Sequence, residues 1–159
     1  PMGAVLASLM RKRPGLGRRR MRFAGRTTLA RRLAFERKIE MAAILLAEDD
    51  ESMRRFLKKA LEKAGHVVID ASQGDEALTE LQLREFDLLL TDIVMPVMDG
   101  IELARRAAQI DAEMKIMFIT GFAAVALNPA NRAPEDAKVL SKPFHLKDLV
   151  QEVDRMIAA

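Results

Sequence analysis

From residue 43 the chain alternates short, continuous apolar runs with stretches of helical spacing. Ala43-Ile44-Leu45-Leu46-Ala47 has no polar position to offer water, as expected of a strand buried on both faces. Residues 51 to 64 place Met53, Phe56, Leu57, Ala60, Leu61 and Ala64 along one side of a helix, closed by Gly65. Val67-Val68-Ile69 predicts a second strand, and Gly74 to Leu83 a second helix. Phe86 to Thr91 predicts a third strand ending at Asp92, with a helix from Gly100 to Ala108. Ile116 to Thr120 predicts a fourth strand, and a short helix falls within Phe122 to Leu127. Val139-Leu140 is a short fifth strand, and His145 to Ile157 the last helix.

Five strands alternating with five helices imply an α/β fold with a parallel sheet covered on both faces. Right-handed crossovers leave few arrangements. The leading one is a flavodoxin-like, doubly wound (βα)5 sheet with strand order 2-1-3-4-5. No internal repeat interrupts the pattern.

Residues 1–40 are a different material. They hold twelve Lys/Arg and two acids, a net of +10, whereas residues 41–159 hold fourteen Lys/Arg and twenty-one acids, a net of −7. The basic extension includes Arg11-Lys12-Arg13 and Arg18-Arg19-Arg20. With few large apolar residues it is expected to be disordered, or weakly helical over 28–39. Met41 reads as a natural start for the domain spanning 41–159. The extension then reads as a misassigned upstream start or a remnant, or else as an arm for nucleic acid or an anionic membrane.

Composition narrows the chemistry. The chain has 159 residues, half of them apolar, with ten Met, seven Phe and no Trp, Tyr or Cys. The core must be aliphatic, and disulfides and thiolate metal sites are excluded. A reducing cytoplasm fits this composition. No apolar run approaches the ~20 residues that span a bilayer. The apolar stretch Ala4 to Met10 precedes the basic cluster, the reverse of a secretory signal.

In open parallel sheets, sites form beyond the carboxyl ends of the strands. Here strand one ends in Glu48-Asp49-Asp50, strand three in Asp92 and strand four in Thr120, while Ser141-Lys142-Pro143 follows strand five. Adjacent first and third strands bring Glu48, Asp49 and Asp92 together. Three neighbouring carboxylates repel one another, and a divalent cation removes the conflict. Mg²⁺ suits the set, since it takes a few carboxylates and keeps several waters. Asp92 is then the candidate nucleophile toward phosphorus, forming an acyl phosphate. Asp49 is a direct Mg²⁺ ligand, Glu48 binds directly or through water, and the main-chain carbonyl of Val94 is a third protein ligand. Lys142 pairs with Asp92 and then with its phosphoryl group, to which Thr120 donates a hydrogen bond. Taken singly, each residue has a plainer reading. An Asp after a strand caps a helix, an acidic triplet is a solvated helix start, Thr120 caps the next helix, and Lys142 is a loop residue.

Ile44-Leu45-Leu46-Ala47-Glu48-Asp49-Asp50, Leu90-Thr91-Asp92-Ile93-Val94-Met95-Pro96 with Met98-Asp99-Gly100, Ile119-Thr120-Gly121 and Ser141-Lys142-Pro143-Phe144 resemble the receiver domain of bacterial response regulators. The resemblance covers residues 42–159. It implies a phosphorelay in which Asp92 takes its phosphoryl group from a phosphohistidine on a histidine kinase or histidine phosphotransferase. One departure stands out. The family often carries Tyr or Phe two or three residues before the Lys, where this chain has Leu140 and Val139, so an aromatic rotamer switch is not expected. Thr91 to Pro96, Lys115 to Leu127 and Ala158-Ala159 also resemble a narrower group of single-domain cell-cycle regulators. That resemblance implies binding of the ClpX unfoldase by the unphosphorylated form, priming regulated proteolysis that phosphorylation switches off.

No effector domain is expected after the last helix, so the receiver surface itself must carry the output. The leading function is therefore a phosphorylation-controlled adaptor, not an ordinary enzyme. The alternatives are a phosphorelay shuttle and a nucleic-acid-binding regulator acting through residues 1–40. An Asp-nucleophile phosphohydrolase is disfavoured because Val94 supplies no second acid. His66 and His145 are isolated, and the methionines read as packing.

Overall fold

The structure, a computed structural model, describes residues 41–159. The expectations for residues 1–40 lie outside the described residues. The elements run β1 (Ala43–Ala47), α1 (Glu51–Lys63), β2 (Val67–Ala71), α2 (Gly74–Leu83), β3 (Leu88–Thr91), α3 (Gly100–Ile110), β4 (Lys115–Thr120), α4 (Ala123–Leu127), β5 (Lys138–Ser141) and α5 (Leu146–Ala158). A single 3₁₀ turn, Pro129–Asn131, stands between α4 and β5. All four strand pairings are parallel, in the order β2-β1-β3-β4-β5. The doubly wound sheet expected from the sequence is the one observed.

Alternate residues of each central strand feed two separate aliphatic cores, as the period-two geometry of a strand requires. Leu45, Leu89, Ile116 and Phe118 face one core, completed by Ala77 and Leu81 of α2 and by Ile101, Ala104 and Ala107 of α3. Ile44, Leu46, Leu88, Leu90, Met117 and Ile119 face the other, against Leu57 and Leu61 of α1 and Leu149 and Val153 of α5. Met95, Met114, Met117 and Met156 are buried as packing.

Local chemistry fixes the helix ends. The Asp50 carboxylate accepts the Met53 N–H at 2.7 Å, and the Asp99 carboxylate accepts that of Glu102 at 2.8 Å, capping α1 and α3. Helix α1 stops where Gly65 takes φ 101°. The Gly65 N–H then reaches the Glu62 carbonyl, and the His66 N–H that of Leu61, a Schellman closure that only glycine enters without strain. His66 has a structural task. It is buried, its Nδ1 accepts the Ala42 N–H, and its Nε2 lies 3.1 Å from Asp154 Oδ1 on α5.

Several boundaries differ from the sequence pattern. Strand β3 begins at Leu88 rather than Phe86; Asp87 stands just before it, and its carboxylate accepts the Ala43 N–H. Strand β2 runs on to Ala71, and α3 to Ile110. No described helix is long and apolar enough to cross a membrane.

Candidate functional site

The register of the sheet sets the site. Ala47, the last residue of β1, pairs with Thr91, the last residue of β3. The Glu48 N–H donates to the Ala71 carbonyl, and the Asp92 N–H to the Ala47 carbonyl. The chain therefore leaves the sheet with its acidic residues already side by side. One carboxylate oxygen from each of Glu48, Asp49 and Asp92 lies within 4.8 Å of the others.

Across this cluster, Lys142 reaches over from the end of β5. Its Nζ is 2.8 Å from Asp92 Oδ2 and 3.2 Å from Glu48 Oε2. The Lys142 N–H donates to the Thr120 carbonyl, which fixes the start of that reach, and the Lys142–Pro143 peptide bond is cis. The other oxygen of Asp92, Oδ1, accepts the N–H of Ile93 at 2.6 Å and of Val94 at 3.3 Å. The Asp92 carbonyl accepts the Thr91 hydroxyl. Thr120 ends β4 fully buried, and its Oγ1 accepts the Phe122 N–H at 3.0 Å.

The backbone is pressed close here. A Cβ on Gly100 would stand 1.8 Å from the Asp92 carbonyl oxygen, so no larger residue fits without moving the loop. The Gly100 N–H donates to the Ile93 carbonyl, tying α3 to that loop. Val97, at the loop tip, takes φ 68° and is 86% exposed.

Glu48 is only 2% exposed. Burial pushes its carboxyl above the usual carboxylate range and the Asp92 charge adds to the push, while the Asp50 N–H and the Lys142 ammonium pull the other way without cancelling it. Burial alone would lower the Lys142 ammonium. Its hydrogen bond to Asp92 and the charges of Glu48 and Asp92 outweigh burial and hold it above the ordinary lysine value. A buried acid that resists ionisation beside two others is under-compensated by its own protein. An added cation would relieve it, and the donor set is all hard oxygen. This is an acidic cluster of the kind receivers use for Mg²⁺.

The structure thus brings Glu48, Asp49, Asp92 and Lys142 into one cluster. Val94 adjoins it through its N–H, and Thr120 closes the strand between Asp92 and Lys142. Sequence reasoning missed Arg54, whose Nη1 donates to the Glu48 carbonyl at 2.9 Å and whose Nε lies 3.1 Å from Asp70 Oδ2. Nothing in the helical pattern of α1 marks it, because both partners come from strand ends.

Residues 44–154 match the response regulator receiver domain family. The chain is 68% identical over 119 residues to the response regulator receiver protein CpdR of Brucella abortus, covering 75% of this chain and 99% of that protein. The crystal structure of a response regulator receiver protein from Sinorhizobium medicae is 33% identical, with a TM-score of 0.69 over 76% of this chain and 97% of its own. That of the response regulator TrrA from Thermotoga maritima, in complex with Mg(2+)-BeF, is 27% identical, with a TM-score of 0.66 over 73% of this chain and 99% of its own. Five parallel strands in this order, an acidic cluster at their carboxyl ends and a family match across the whole sheet place the chain in the response regulator receiver family.

Proposed function

We propose that Asp92 is the phosphoacceptor of a phosphorelay, and that the chain is a switch read by a protein partner. As a receiver it is a regulator, not an enzyme acting on an external substrate. The observation that carries the reading is the contact of Lys142 Nζ with Asp92 Oδ2 on the rim of the three-acid cluster. In the proposed step an Asp92 oxygen forms a bond to phosphorus as the P–N bond of a donor phosphohistidine breaks. The bonding pair leaves with the imidazole nitrogen, and the product is an acyl phosphate.

Glu48, Asp49, Asp92 and the Val94 carbonyl would hold Mg²⁺. When bound, the ion supplies charge neutralisation between nucleophile and incoming phosphoryl group. TrrA, similar in fold, holds Mg(2+)-BeF, which supports the assignment. Lys142 stays with Asp92 and would neutralise a phosphoryl oxygen. Thr120 accepts the Phe122 N–H and donates its own hydroxyl proton to another phosphoryl oxygen. The Ile93 N–H orients the attacking carboxylate through Oδ1.

The donor is a histidine kinase or histidine phosphotransferase, in the cytoplasm. For output, the reading is a proteolytic adaptor whose unphosphorylated form binds the ClpX unfoldase. It rests on the similarity to CpdR and to single-domain cell-cycle regulators. Phe122, Val125 and Leu127 leave apolar surface exposed directly after Thr120, where a partner can sense the switch. The test treats wild type and Asp92→Ala with a small phosphodonor and Mg²⁺, then compares mass and ClpX capture. A phosphoryl-sized mass gain is expected in wild type alone, with capture lost on phosphorylation and retained by the variant. Equal mass gain in both proteins would refute the acceptor. Capture indifferent to phosphorylation would refute the adaptor.

A further inference from the structure

We infer that Arg54 is a positioning residue that holds the acidic loop in its ion-binding shape before any cation arrives. The inference rests on the reading of Glu48, Asp49 and Asp92 as a divalent-cation site. Arg54 lies on the first turn of α1 and is largely buried, and its guanidinium spans two strand ends. Nη1 donates to the Glu48 carbonyl at 2.9 Å, and Nε pairs with Asp70 Oδ2 on β2 at 3.1 Å. Asp70 is itself anchored by Lys58 Nζ at 2.6 Å. Three further ties hold the same residue: the Glu48 N–H to the Ala71 carbonyl, the Asp50 N–H to Glu48 Oε1, and the Lys142 ammonium to Glu48 Oε2. Of these, only the Arg54 bond acts on the Glu48 carbonyl, the group that sets the direction of the peptide leading into Asp49.

A positive side chain beside a cation site should repel the ion, so pairing matters. Asp70, which it shares with Lys58, offsets part of the Arg54 charge, and the geometric effect of the clamp must outweigh what remains. Two bonds from one planar fork also explain why the position suits Arg. A Lys ammonium has three donors at a single point and cannot span both acceptors from this helix position. Partners that orient a ligand without touching the metal change affinity about 10–100-fold when removed.

The test uses the full chain with Mg²⁺ alone as probe, in wild type, Arg54→Ala, Arg54→Lys and Asp70→Asn. Affinity and stoichiometry come from calorimetric titration, and Asp50 amide exchange is followed in chelator. Partial unfolding lowers the stoichiometry, whereas a lost clamp raises Kd at full stoichiometry. Arg54→Ala is expected to raise the Mg²⁺ Kd about tenfold and to speed Asp50 exchange. Asp70→Asn should shift both in the same direction by less, and Arg54→Lys should recover less than half of the loss. An Arg54→Ala Kd within twofold of wild type overturns the inference, as does full recovery by Lys. If wild type binds no Mg²⁺, the cation reading itself fails; an unchanged Asp50 exchange rate in Arg54→Ala would instead show that the clamp is absent.

Discussion

Lys142 and Asp92 stand fifty residues apart in sequence, yet Nζ and Oδ2 meet at 2.8 Å. The same Nζ is 3.2 Å from Glu48. One ammonium therefore serves two acids that are themselves close together, and its removal leaves both without a counter-charge.

Lys142→Ala should destabilise the protein by about 1–3 kcal/mol at neutral pH without divalent ions. That lies below the cost of breaking a fully buried pair, because Lys142 is partly exposed. Urea unfolding in chelator measures the loss. Added Mg²⁺ should restore part of it, since an ion at the cluster supplies the missing charge. A variant as stable as wild type in chelator would mean that the pair carries no net stabilisation.

Glu48→Gln should move stability in the opposite direction. The folded state holds the Glu48 proton more tightly than the unfolded chain, whose ordinary value is 4.5. Ionisation therefore costs stability as pH rises from below 4.5 through the raised folded value. The neutral isostere escapes that cost, and a gain in stability is expected near pH 7 in chelator. The gain should fade below pH 4.5, where wild type is protonated as well. Unfolding curves at several pH values decide it, and a gain that persists unchanged at low pH would contradict the assignment.

At Gly100 the constraint is purely steric. Alanine there would drive a methyl into the Asp92 carbonyl, 1.8 Å away. Backbone must move, so Gly100→Ala should cost about 2–3 kcal/mol and slow modification of Asp92 by a small phosphodonor. The denaturation midpoint and the mass-detected rate check the two effects. A stable variant reacting at the wild-type rate would show that the loop yields freely.

Val97 is the converse case. A β-branched residue at φ 68° is strained, and its side chain is out in solvent with no packing to compensate. Val97→Asn should stabilise the protein by about 0.5–1 kcal/mol, visible as a higher melting temperature. An unchanged or lower melting temperature would imply that Val97 makes contacts that offset its backbone strain.

Much of this was legible in the sequence. The unbroken run Ala43 to Ala47 can hardly be anything but a strand covered on both sides. Glu48, Asp49, Asp92 and Lys142 follow strands, so the topology that orders the strands also gathers the acids and the lysine. What stayed hidden depends on partners distant along the chain. Phe86-Asp87 reads as strand, but the Asp87 carboxylate is recruited by Ala43. Arg54 looks like a solvated helix residue until Asp70 and the Glu48 carbonyl are seen beside it. His66 looks isolated until α5 delivers Asp154. Pro129–Asn131 carries no apolar periodicity from which to read a turn.

The acid-bearing loops leave the sheet with no slack: the amides of residues 48 and 92 are the last rungs of the strand ladder. Motion at a loop tip therefore does not scatter Glu48 and Asp92 unless the strand ends open as well. Their amides should exchange with solvent more slowly than those of the loops that follow, so the receptive geometry outlasts motion at the loop tips.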